Sequence, residues 1–390
     1  MRMQLLPRAE TAVRKGHPWV FAESVKSQNR EGSAGELVVM YDRRDRFLAV
    51  GLYDPDSPIR VRVVHAGSPA VIDRDWWLGR ARDAATRREE VFNAKTNGAR
   101  CINGESEGFP GLVADRYADT LVVKLYSAVW LERWAEIESV LREVFGPRYL
   151  VLRVSRNLAD ATAEHGLVPG FQGDQGDEVV VFSENGIRFE AAVVHGQKTG
   201  FFLDQRDNRA RVEQLAEGRE VLNLFSFSGG FSLYAARGGA TRVVDVDISA
   251  HALESARRNF ALNPDLDPTI HEGIQADVFE WVGQSGASYD LVISDPPSLA
   301  KRERDREKAI VAYRRLNGVA LARVRQGGIL VAASCSAHVS ADEFFGAVRS
   351  EAKRSGRRCE ELWTSRHADD HPASFPEAEY LKAICLKCAD

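Results

Sequence analysis

After Gly186 the sequence alternates between short apolar segments and longer amphipathic ones. Four apolar segments predict strands, and a predicted helix follows each of them: 220–225, 242–247, 291–295 and 329–334. Strands that alternate with helices form a parallel sheet with helices on both faces. We therefore predict an α/β fold with a doubly wound sheet over the second half of the chain.

The first half has a different pattern. Short strands at 36–40, 47–53 and 59–65 predict a small β domain, and 74–92 predicts an amphipathic linker helix. A β-β-α-β pattern follows, with strands at 112–115, 120–126 and 149–154, a helix at 129–145, and a further strand at 179–182. At 390 residues the chain is too long for one core. We predict domains at 1–72, 99–185 and 186–390, with the linker helix at 73–98.

Composition limits the classes of function. No apolar run approaches the roughly 18 residues that cross a bilayer, so we expect no membrane contact. Pro7 interrupts the start of the chain before a secretory segment could form.

The five cysteines are odd in number and irregularly spaced, which favours a reducing compartment and a cytoplasmic protein. Cys385 and Cys388 form a lone C-x-x-C without a second pair, so we expect a structural role and no metal. A net charge of -4 confines any RNA contact to local basic patches.

Ligands of open parallel sheets lie beyond the carboxyl ends of the strands. The first of these strands runs into Ser226-Phe227-Ser228-Gly229-Gly230, where small residues allow close approach of a ligand and close packing of the next helix. This loop predicts a cofactor site.

Two acids follow the next strand ends. Asp247 lies 18 residues after Gly229, near the spacing at which a carboxylate binds ribose hydroxyls, and it outranks Asp245 because it falls at the strand terminus. Asp277 follows at the distance expected for the next strand end and could contact an adenine amino group. Each acid alone could equally be a helix cap.

A dinucleotide enzyme would share this skeleton. Asp295-Pro296-Pro297 at the fourth strand end instead favours a methyltransferase, because the prolines fix the backbone and orient a carboxylate toward a planar amine or base.

The segment 195–209 includes Gly-Gln-Lys-Thr but lacks the glycine spacing of a phosphate loop, so we reject an NTPase. We expect this segment to lay Phe202 against the cofactor and then to enter a helix through Asp204, with Arg206 and Arg209 one turn apart. A capped basic helix is the alternative.

Cys335 ends the apolar run 329–334, so its thiol lies at a carboxyl end. In the methyltransferase strand order it neighbours Asp295. Carbon-5 of cytosine requires prior thiolate addition at carbon-6 before it can accept a methyl group, and Cys335 is our candidate nucleophile. Asp295 would hydrogen-bond nitrogen-3 and the exocyclic amine. A small buried hydrophobic residue is the alternative role of this cysteine.

These motifs, in this order, resemble the large-subunit rRNA cytosine-5 methyltransferases that carry an N-terminal PUA domain. The resemblance includes His17-Pro18-Trp19-Val20-Phe21, the segments 104–111 and 195–209, Ser334-Cys335-Ser336 and Asp370-His371-Pro372. It implies a PUA-like RNA-binding domain, a central α+β domain, and a Rossmann-like class I domain with a mixed seven-stranded sheet. It also implies S-adenosyl-L-methionine as cofactor.

The motifs give one set of candidate cofactor residues: Thr199, Phe202, Gln205, Arg206, Asn223, Phe225, Ser226, Gly229, Asp247, Ile248, Asp277, Val278 and Asp295. The catalytic candidates are Cys335 and Asp295. Related RNA cytosine-5 methyltransferases place a second cysteine after Asp-Pro-Pro, but this chain has Ser298 at or next to that position. The base that removes the carbon-5 proton could be His371, Ser298, Asp295 or a water.

Candidate RNA contacts are Arg60 and Arg62, and a second group formed by Lys301, Arg302, Arg304 and Arg306. Acids interleave the second group, so a solvated helix is its alternative. The predicted function is formation of 5-methylcytosine in large-subunit rRNA. An amino-methyltransferase acting on guanine or adenine and a non-catalytic RNA-binding assembly factor remain alternatives, and a homodimer is open.

Overall fold

The computed structural model describes residues 1–300 and 302–389, which form two compact units. Unit 1 comprises Met1–Ser183, Ala191–Leu203 and Asp369–Phe375, and unit 2 comprises Glu184–Glu190, Asp204–Ala368 and Pro376–Asp390. No helix in the described part of the chain is both long enough and apolar enough to span a membrane.

Unit 1 begins with a six-stranded sheet. Its strands are β1 (Arg2–Leu5), β2 (Trp19–Phe21), β3 (Val25–Gln28), β4 (Leu37–Tyr41), β5 (Phe47–Tyr53) and β6 (Ile59–Ala66). The order is β2-β6-β5-β4-β1-β3, with β1 and β4 parallel and the other pairs antiparallel. Helix α1 (Pro7–Arg14) buries Ala9 and Val13 in the core of this sheet. The predicted β domain is confirmed for β4 to β6, and β1 to β3 with α1 were not predicted.

A second sheet follows helix α2 (Arg74–Thr86). Its strands are β7 (Gly98–Asn103), β8 (Leu112–Tyr117), β9 (Thr120–Leu125), β10 (Tyr149–Val154) and β11 (Gly170–Phe171), in the order β11-β10-β9-β8-β7. Helix α3 (Trp134–Phe145) joins the parallel strands β9 and β10, and α4 (Ala159–Glu164) precedes β11. The predicted β-β-α-β pattern is confirmed as β8-β9-α3-β10.

Two predicted helices are shorter than expected. The linker helix, predicted over 74–92, ends at Thr86. Arg88, which is 1% exposed, folds back there: Nη1 donates to the Ala84 carbonyl at 2.9 Å, and Nη2 lies 2.7 Å from Glu107 Oε2. A side chain therefore satisfies a carbonyl that a further helical turn would have used. The helix predicted over 129–145 begins only at Trp134.

Strands β12 (Val179–Glu184) and β13 (Ile187–Ala192) form a two-stranded sheet. The seven-stranded sheet comprises β14 (Glu220–Leu224), β15 (Arg242–Asp247), β16 (His271–Gln275), β17 (Tyr289–Ser294), β18 (Val324–Ser334), β19 (Cys359–Ser365) and β20 (Lys382–Cys388). The helices of unit 2 are α5 (Arg206–Glu213), α6 (Gly230–Arg237), α7 (Ala250–Ala261), α8 (Val278–Gln284), α9 (Arg306–Ala322) and α10 (Ala341–Arg354).

The seven strands are ordered β16-β15-β14-β17-β18-β20-β19. The first five pair in parallel, while β20 is antiparallel to both neighbours. This mixed seven-stranded sheet confirms the predicted α/β class. Strand runs are apolar at successive positions because both faces are covered: Leu222 and Val244 enter one core cluster, while Val221 and Val243 enter another.

A buried ion pair joins the start of unit 2 to helix α5. Arg209 and Glu184 side chains are 3% and 0% exposed, and they meet in a two-pronged contact with N to O distances of 2.8 and 2.6 Å. The Tyr234 hydroxyl donates to the same carboxylate at 3.0 Å. Arg209, the second arginine of the 195–209 motif, thus stabilises the fold through this ion pair.

We predict that Arg209→Met lowers the free energy of unfolding by about 3–5 kcal/mol, because Glu184 would stay buried without its partner. Urea unfolding of the full chain measures this. Arg211→Met is the matched control: that exposed guanidinium lies 5.1 Å from the Trp363 ring, and its loss should cost about 1 kcal/mol or less. Equal losses in the two variants would contradict the assignment.

Candidate active site

Five parallel strands of unit 2 end at one edge of the sheet. Because β16, β15, β14, β17 and β18 are successive parallel neighbours, the residues after them occur in a fixed spatial order. That order is Asp277, Asp247, Phe225, Asp295 and Cys335. The structure therefore brings together, at one edge, residues that are up to 110 positions apart in the sequence.

The loop after β14 has an unusual backbone. Phe225, Phe227 and Gly229 have φ values of 59°, 48° and 74°, in the left-handed region that costs a side-chain-bearing residue about 1 kcal/mol or more. Backbone hydrogen bonds hold this shape: Phe225 N donates to Val246 O at 2.9 Å, and Phe227 N donates to Asp247 Oδ2 at 2.9 Å. Strained loops of this kind cluster at ligand sites.

Gly229 allows the loop to pack closely, as predicted. A Cβ atom at this position would lie 2.9 Å from Ala256 Cβ and 3.4 Å from Asp245 Oδ2. Helix α6 starts at the next residue, Gly230, and its backbone N–H groups lie at the same sheet edge.

A buried polar cluster lies beneath the loop. Asn223 Nδ2 donates to Ser232 Oγ at 2.9 Å and to Asp245 Oδ1 at 3.0 Å, and His271 Nε2 lies 2.8 Å from Asp245 Oδ2. Asp245 is fully buried and committed to these partners, whereas Asp247 is partly exposed. This supports the choice of Asp247 over Asp245 as the acid at the sheet edge.

Several buried polar atoms around the loop have no partner in the protein. Among the described residues, Ser226 Oγ, Ser228 Oγ and Asn223 Oδ1 make no hydrogen bond. A buried polar group without a partner costs about 1–3 kcal/mol, so a ligand with several polar groups fits here. The amide nitrogen of Asn223 is already engaged, and only its oxygen remains for a ligand.

Apolar side chains are exposed beside the two acids. Ile248, directly after Asp247, is 67% exposed, and Phe279, two residues after Asp277, is 39% exposed. Phe279 packs edge-on against Phe225, with ring centroids 5.7 Å apart. These surfaces fit a planar aromatic ring such as adenine.

Val278, a predicted cofactor residue, and its neighbour Phe279 differ in exposure. Val278 is 3% exposed and belongs to the core. Its neighbour lies in the first turn of α8, where an exposed aromatic residue after the capping Asp277 was the signal that could have identified it.

Each acid at this edge also serves the backbone. Asp247 accepts from Phe227 N and from Ser249 N at 2.8 Å, one bond to each oxygen. Asp277 Oδ1 accepts from Phe279 N at 2.8 Å and from Glu280 N at 3.2 Å, so it caps α8. A capping role does not prevent contact with a ligand, because each carboxylate oxygen has two lone pairs.

Cys335 is partly exposed and follows seven consecutive buried residues, Gly328 to Ser334, at the end of β18. Its Sγ lies 3.7 Å from the Pro296 carbonyl, in contact with the Asp-Pro-Pro segment. Gln205 Nε2 donates to Asp295 Oδ2 at 2.9 Å, and Asn208 Nδ2 donates to Gln205 Oε1 at 2.7 Å. Gln205 therefore orients the candidate catalytic carboxylate, and its predicted contact with the cofactor stays a prediction.

Ser336 connects the segments after β17 and β18. Its hydroxyl lies 3.0 Å from Ser298 Oγ and 2.8 Å from the Tyr313 hydroxyl, and it accepts from Leu299 N at 3.1 Å. Ser298 also donates to the Ala300 carbonyl at 3.1 Å. The hydroxyl of Ser298, a candidate base, is thus part of the network that positions the loop.

Two predicted cofactor residues belong to unit 1. Thr199 is buried, and its hydroxyl bonds to the Tyr117 hydroxyl at 2.9 Å and to Asp115. The Lys198 ammonium lies over the Phe202 ring, 4.3 Å from the ring centroid. Their roles toward the cofactor stay predictions.

Two further predicted residues are largely buried. Arg206, at the start of α5, is 6% exposed, and its Nε lies 3.3 Å from Asp207 Oδ1. His371 belongs to unit 1, where it is 1% exposed and its Nδ1 lies 3.0 Å from Asp370 Oδ1.

One arginine predicted for RNA contact in unit 1 has a structural role instead. Arg62 is only 9% exposed, its Nη1 lies 2.8 Å from Glu105 Oε1, and its Nε donates to Ser127 Oγ. The prediction is wrong for Arg62, because its charge is matched and its surface covered. Arg60, which is more exposed, bonds the carbonyl of Pro55.

The members of the second basic group, residues 301–306, differ in exposure and in ion pairing. Lys301 lies outside the described residues. Arg302 and Arg304 are exposed, whereas Arg306 pairs with Glu343. Among the described members, Arg302 and Arg304 therefore stay candidates for RNA contact, and the Arg306 side chain, although paired, is 42% exposed.

Cys385 and Cys388 lie on β20 and are fully buried. Residues three apart on a strand point to opposite faces, and these two enter different core clusters. Burial raises the pKa of each thiol to about 12. They cannot act together as a pair, which agrees with the structural role expected for them.

Comparison with known proteins identifies both parts of the chain. The family of S-adenosylmethionine-dependent methyltransferases matches residues 147–381, and a PUA-like domain matches residues 3–65. A "Ribosomal RNA large subunit methyltransferase" of Deinococcus radiodurans is 58% identical over 99% of this chain and 97% of its own length. A "Ribosomal RNA large subunit methyltransferase I" of Shewanella amazonensis is 36% identical over 99% of both chains.

The fold is shared with a solved structure. A Streptococcus mutans protein described as a SAM-dependent methyltransferase superposes with a TM-score of 0.84 at 21% identity, over 99% of this chain and 100% of its own. The predicted cofactor, S-adenosylmethionine, is confirmed by the family match. The partnerless polar atoms of Asn223, Ser226 and Ser228 fit the amino acid part of this cofactor. The exposed side chains of Ile248 and Phe279 fit its adenine ring, and Asp247 fits its ribose.

We predict that Asp277→Asn weakens S-adenosylmethionine binding about 10- to 100-fold, because a hydrogen bond to a charged group contributes about 1.5–3 kcal/mol. Asparagine caps helices as well as aspartate does, so the melting temperature should stay unchanged. Titration calorimetry measures the affinity. Asp267→Asn is the matched control, because Asp267 caps a short 3-10 turn before β16. If the affinity is unchanged in both variants, Asp277 is a cap alone.

Proposed function

Because the chain belongs to the family of S-adenosylmethionine-dependent ribosomal RNA large subunit methyltransferases, we propose that it forms 5-methylcytosine in large-subunit rRNA through Cys335. One observation carries this proposal. Cys335 emerges partly exposed at the carboxyl end of β18, with its sulfur against the Asp295-Pro296-Pro297 segment of the neighbouring strand β17.

The thiolate of Cys335 adds to carbon-6 of the cytosine and forms a sulfur–carbon bond. The electron pair of the 5,6 double bond shifts to the bond between carbon-4 and carbon-5, and the pair between carbon-4 and nitrogen-3 moves onto nitrogen-3. The resulting enamine makes carbon-5 nucleophilic. Without this addition, carbon-5 is too weak a nucleophile. The reaction therefore needs a cysteine that is accessible from the substrate side, and Cys335 meets that condition whereas Cys101, Cys385 and Cys388 are buried.

Asp295 holds the base during this addition. One oxygen of its carboxyl group accepts a hydrogen bond from the exocyclic amine, and the carboxyl, protonated when the base binds, donates its proton to nitrogen-3 as negative charge develops on the ring. Gln205 keeps one carboxylate oxygen in place through its 2.9 Å hydrogen bond, and Pro296 and Pro297 restrict the backbone. The carboxylate is thus oriented before the substrate arrives.

S-adenosylmethionine, when bound, supplies an electrophilic methyl group on a sulfonium. Asn223, Ser226, Asp247 and Phe279 are the residues that would hold it at the sheet edge beside Asp295. After methylation, a base takes the carbon-5 proton, nitrogen-3 returns its proton to Asp295, and the 5,6 double bond re-forms as Cys335 leaves as thiolate. The base is one of the candidates already named: His371, Ser298, Asp295 or a water.

We propose large-subunit rRNA as the partner, since the relatives carry that substrate in their names and the PUA-like match covers residues 3–65. A base stacked in a duplex cannot reach a thiol, so the target nucleotide must be unpaired or turned out of its helix. This substrate would place the enzyme in the cytoplasm.

We predict that Cys335→Ala abolishes 5-methylcytosine formation, because carbon-5 is then never activated. Mass spectrometry of nucleosides from large-subunit rRNA incubated with S-adenosylmethionine and each variant measures the product. Cys359→Ala is the matched control, since Cys359 is also partly exposed but lies on the edge strand β19, and it should retain full activity.

Two other outcomes would replace this function. Methylation of guanine or adenine that survives Cys335→Ala would identify an amino-methyltransferase without a covalent step. A wild-type chain that binds rRNA but does not bind S-adenosylmethionine would be an RNA-binding assembly factor.

A further inference from the structure

Lys382 is a buried lysine that the proposed mechanism does not yet use. It opens strand β20 and is 1% exposed. Lysines are almost never fully buried unless a partner offsets the loss of hydration. Among the described residues no carboxylate forms an ion pair with Lys382, so the retention of this buried ammonium requires another explanation.

The partners of the ammonium are two backbone carbonyls in the segment that carries Cys335. Lys382 Nζ donates to the Ser336 carbonyl at 2.5 Å and to the Val339 carbonyl. These residues lie between the end of β18 and the start of α10. A single side chain thus fixes the backbone on the carboxyl side of the cysteine.

The strand register places Lys382 next to the cysteine from the other direction as well. In the antiparallel pair of β18 and β20, Lys382 is opposite Ser334, the residue before Cys335. The backbone of Lys382 therefore pairs with the residue before Cys335, while its ammonium bonds to the carbonyl of the residue after Cys335.

The charge of Lys382 interacts with that of Cys335. Burial lowers the pKa of Lys382 to about 8, and the negative charge of the Cys335 thiolate acts in the opposite direction. Glu343 of α10 and Glu379, which precedes β20, also favour the charged lysine, while Arg366, which follows β19, disfavours it. By reciprocity, the positive lysine favours the thiolate over the thiol.

We propose that Lys382 is a positioning residue for the methyltransferase reaction, whose buried ammonium fixes the backbone around Cys335 and stabilises the thiolate of that cysteine. The assignment rests on the proposed role of Cys335 as nucleophile. It explains why a charged group is kept in the core at a place where a methionine would pack at lower cost.

The experiment measures the rate at which iodoacetamide alkylates Cys335 in the full chain as a function of pH. Peptide mass spectrometry separates Cys335 from Cys359, the other partly exposed thiol. Wild type should show a midpoint below the ordinary thiol value of about 8.5. A wild-type midpoint at or above that value would overturn the proposal without any variant.

Lys382→Met removes the charge and keeps the length of the side chain. We predict that the alkylation midpoint rises by about one pH unit or more, and that kcat at neutral pH falls about tenfold with the loss of thiolate. Lys382→Arg keeps the charge and should keep a midpoint near that of wild type. If the arginine variant shifts as far as the methionine variant, charge is not the cause.

Tyr313→Phe is the matched neutral control. The Tyr313 hydroxyl bonds to Ser334 and Ser336, on both sides of Cys335, but burial raises its pKa and keeps it uncharged. This variant perturbs the same segment and should leave the midpoint unchanged. An equal shift in the phenylalanine variant would show that disturbed packing, and not lost charge, alters the thiol.

Failure of this proposal can be told apart from failure of the proposed function. Alkylation is read without methyl transfer, so an unshifted midpoint in a Lys382→Met chain that still binds S-adenosylmethionine overturns the role of Lys382 alone. Retention of 5-methylcytosine in Cys335→Ala overturns the role of Cys335 as nucleophile and leaves the alkylation result intact.

Discussion

The parallel pairing of β14, β15, β16, β17 and β18 is the constraint on which the site depends. Parallel strands all end at the same edge, so any residue placed directly after a strand is carried to that edge. Helices must return the chain between strands, and their covering of both faces makes the strands largely apolar, apart from the buried cluster of Asn223, Asp245 and His271. Polar residues therefore concentrate where the strands stop. Asp247, Asp295 and Cys335 share a site for this reason, although they are far apart along the chain.

Among the described residues, several buried polar atoms at this edge of the sheet lack a hydrogen-bond partner in the protein. The loop after β14 holds Phe225 and Phe227 in left-handed backbone conformations, and Ser226 Oγ and Ser228 Oγ are buried without partners among the described residues. Each feature costs stability in the isolated protein. Hydrogen bonds from the loop to the end of β15 keep it in place, which leaves a preformed cradle for a polar ligand.

The candidate nucleophile is supported by contacts that do not themselves touch a substrate. Ser336 connects the segment after Cys335 to the residues that follow Asp-Pro-Pro, and Lys382 holds its carbonyls from β20. Gln205 does the same for Asp295. In each case a buried side chain fixes the position of a partly exposed one, which is Cys335 or Asp295. A thiol and a carboxylate on neighbouring strands are thereby positioned by the core beneath them.

The sequence predicted most of the framework because apolar periodicity is local. It indicated the strand and helix alternation, the bounds of β5, β10 and β15, and the residues that follow each strand of the sheet. It was less accurate where one side chain decides a boundary or a burial, as with Arg88 at the end of α2 and Arg62 beside Glu105. The pattern also did not indicate that Phe279 is exposed while Val278 is buried, because one residue at a helix start does not change the apolar periodicity.

The sequence by itself determined the class of fold, the order of the motifs and the residue types at the strand ends, since these follow from spacing along the chain. Only the tertiary structure decided which partners meet across it: Arg209 with Glu184, Gln205 with Asp295, and Lys382 with the carbonyls beyond Cys335. The physical reason is that a buried polar group is stabilised by whatever the fold brings within about 3 Å, and no local periodicity encodes that choice.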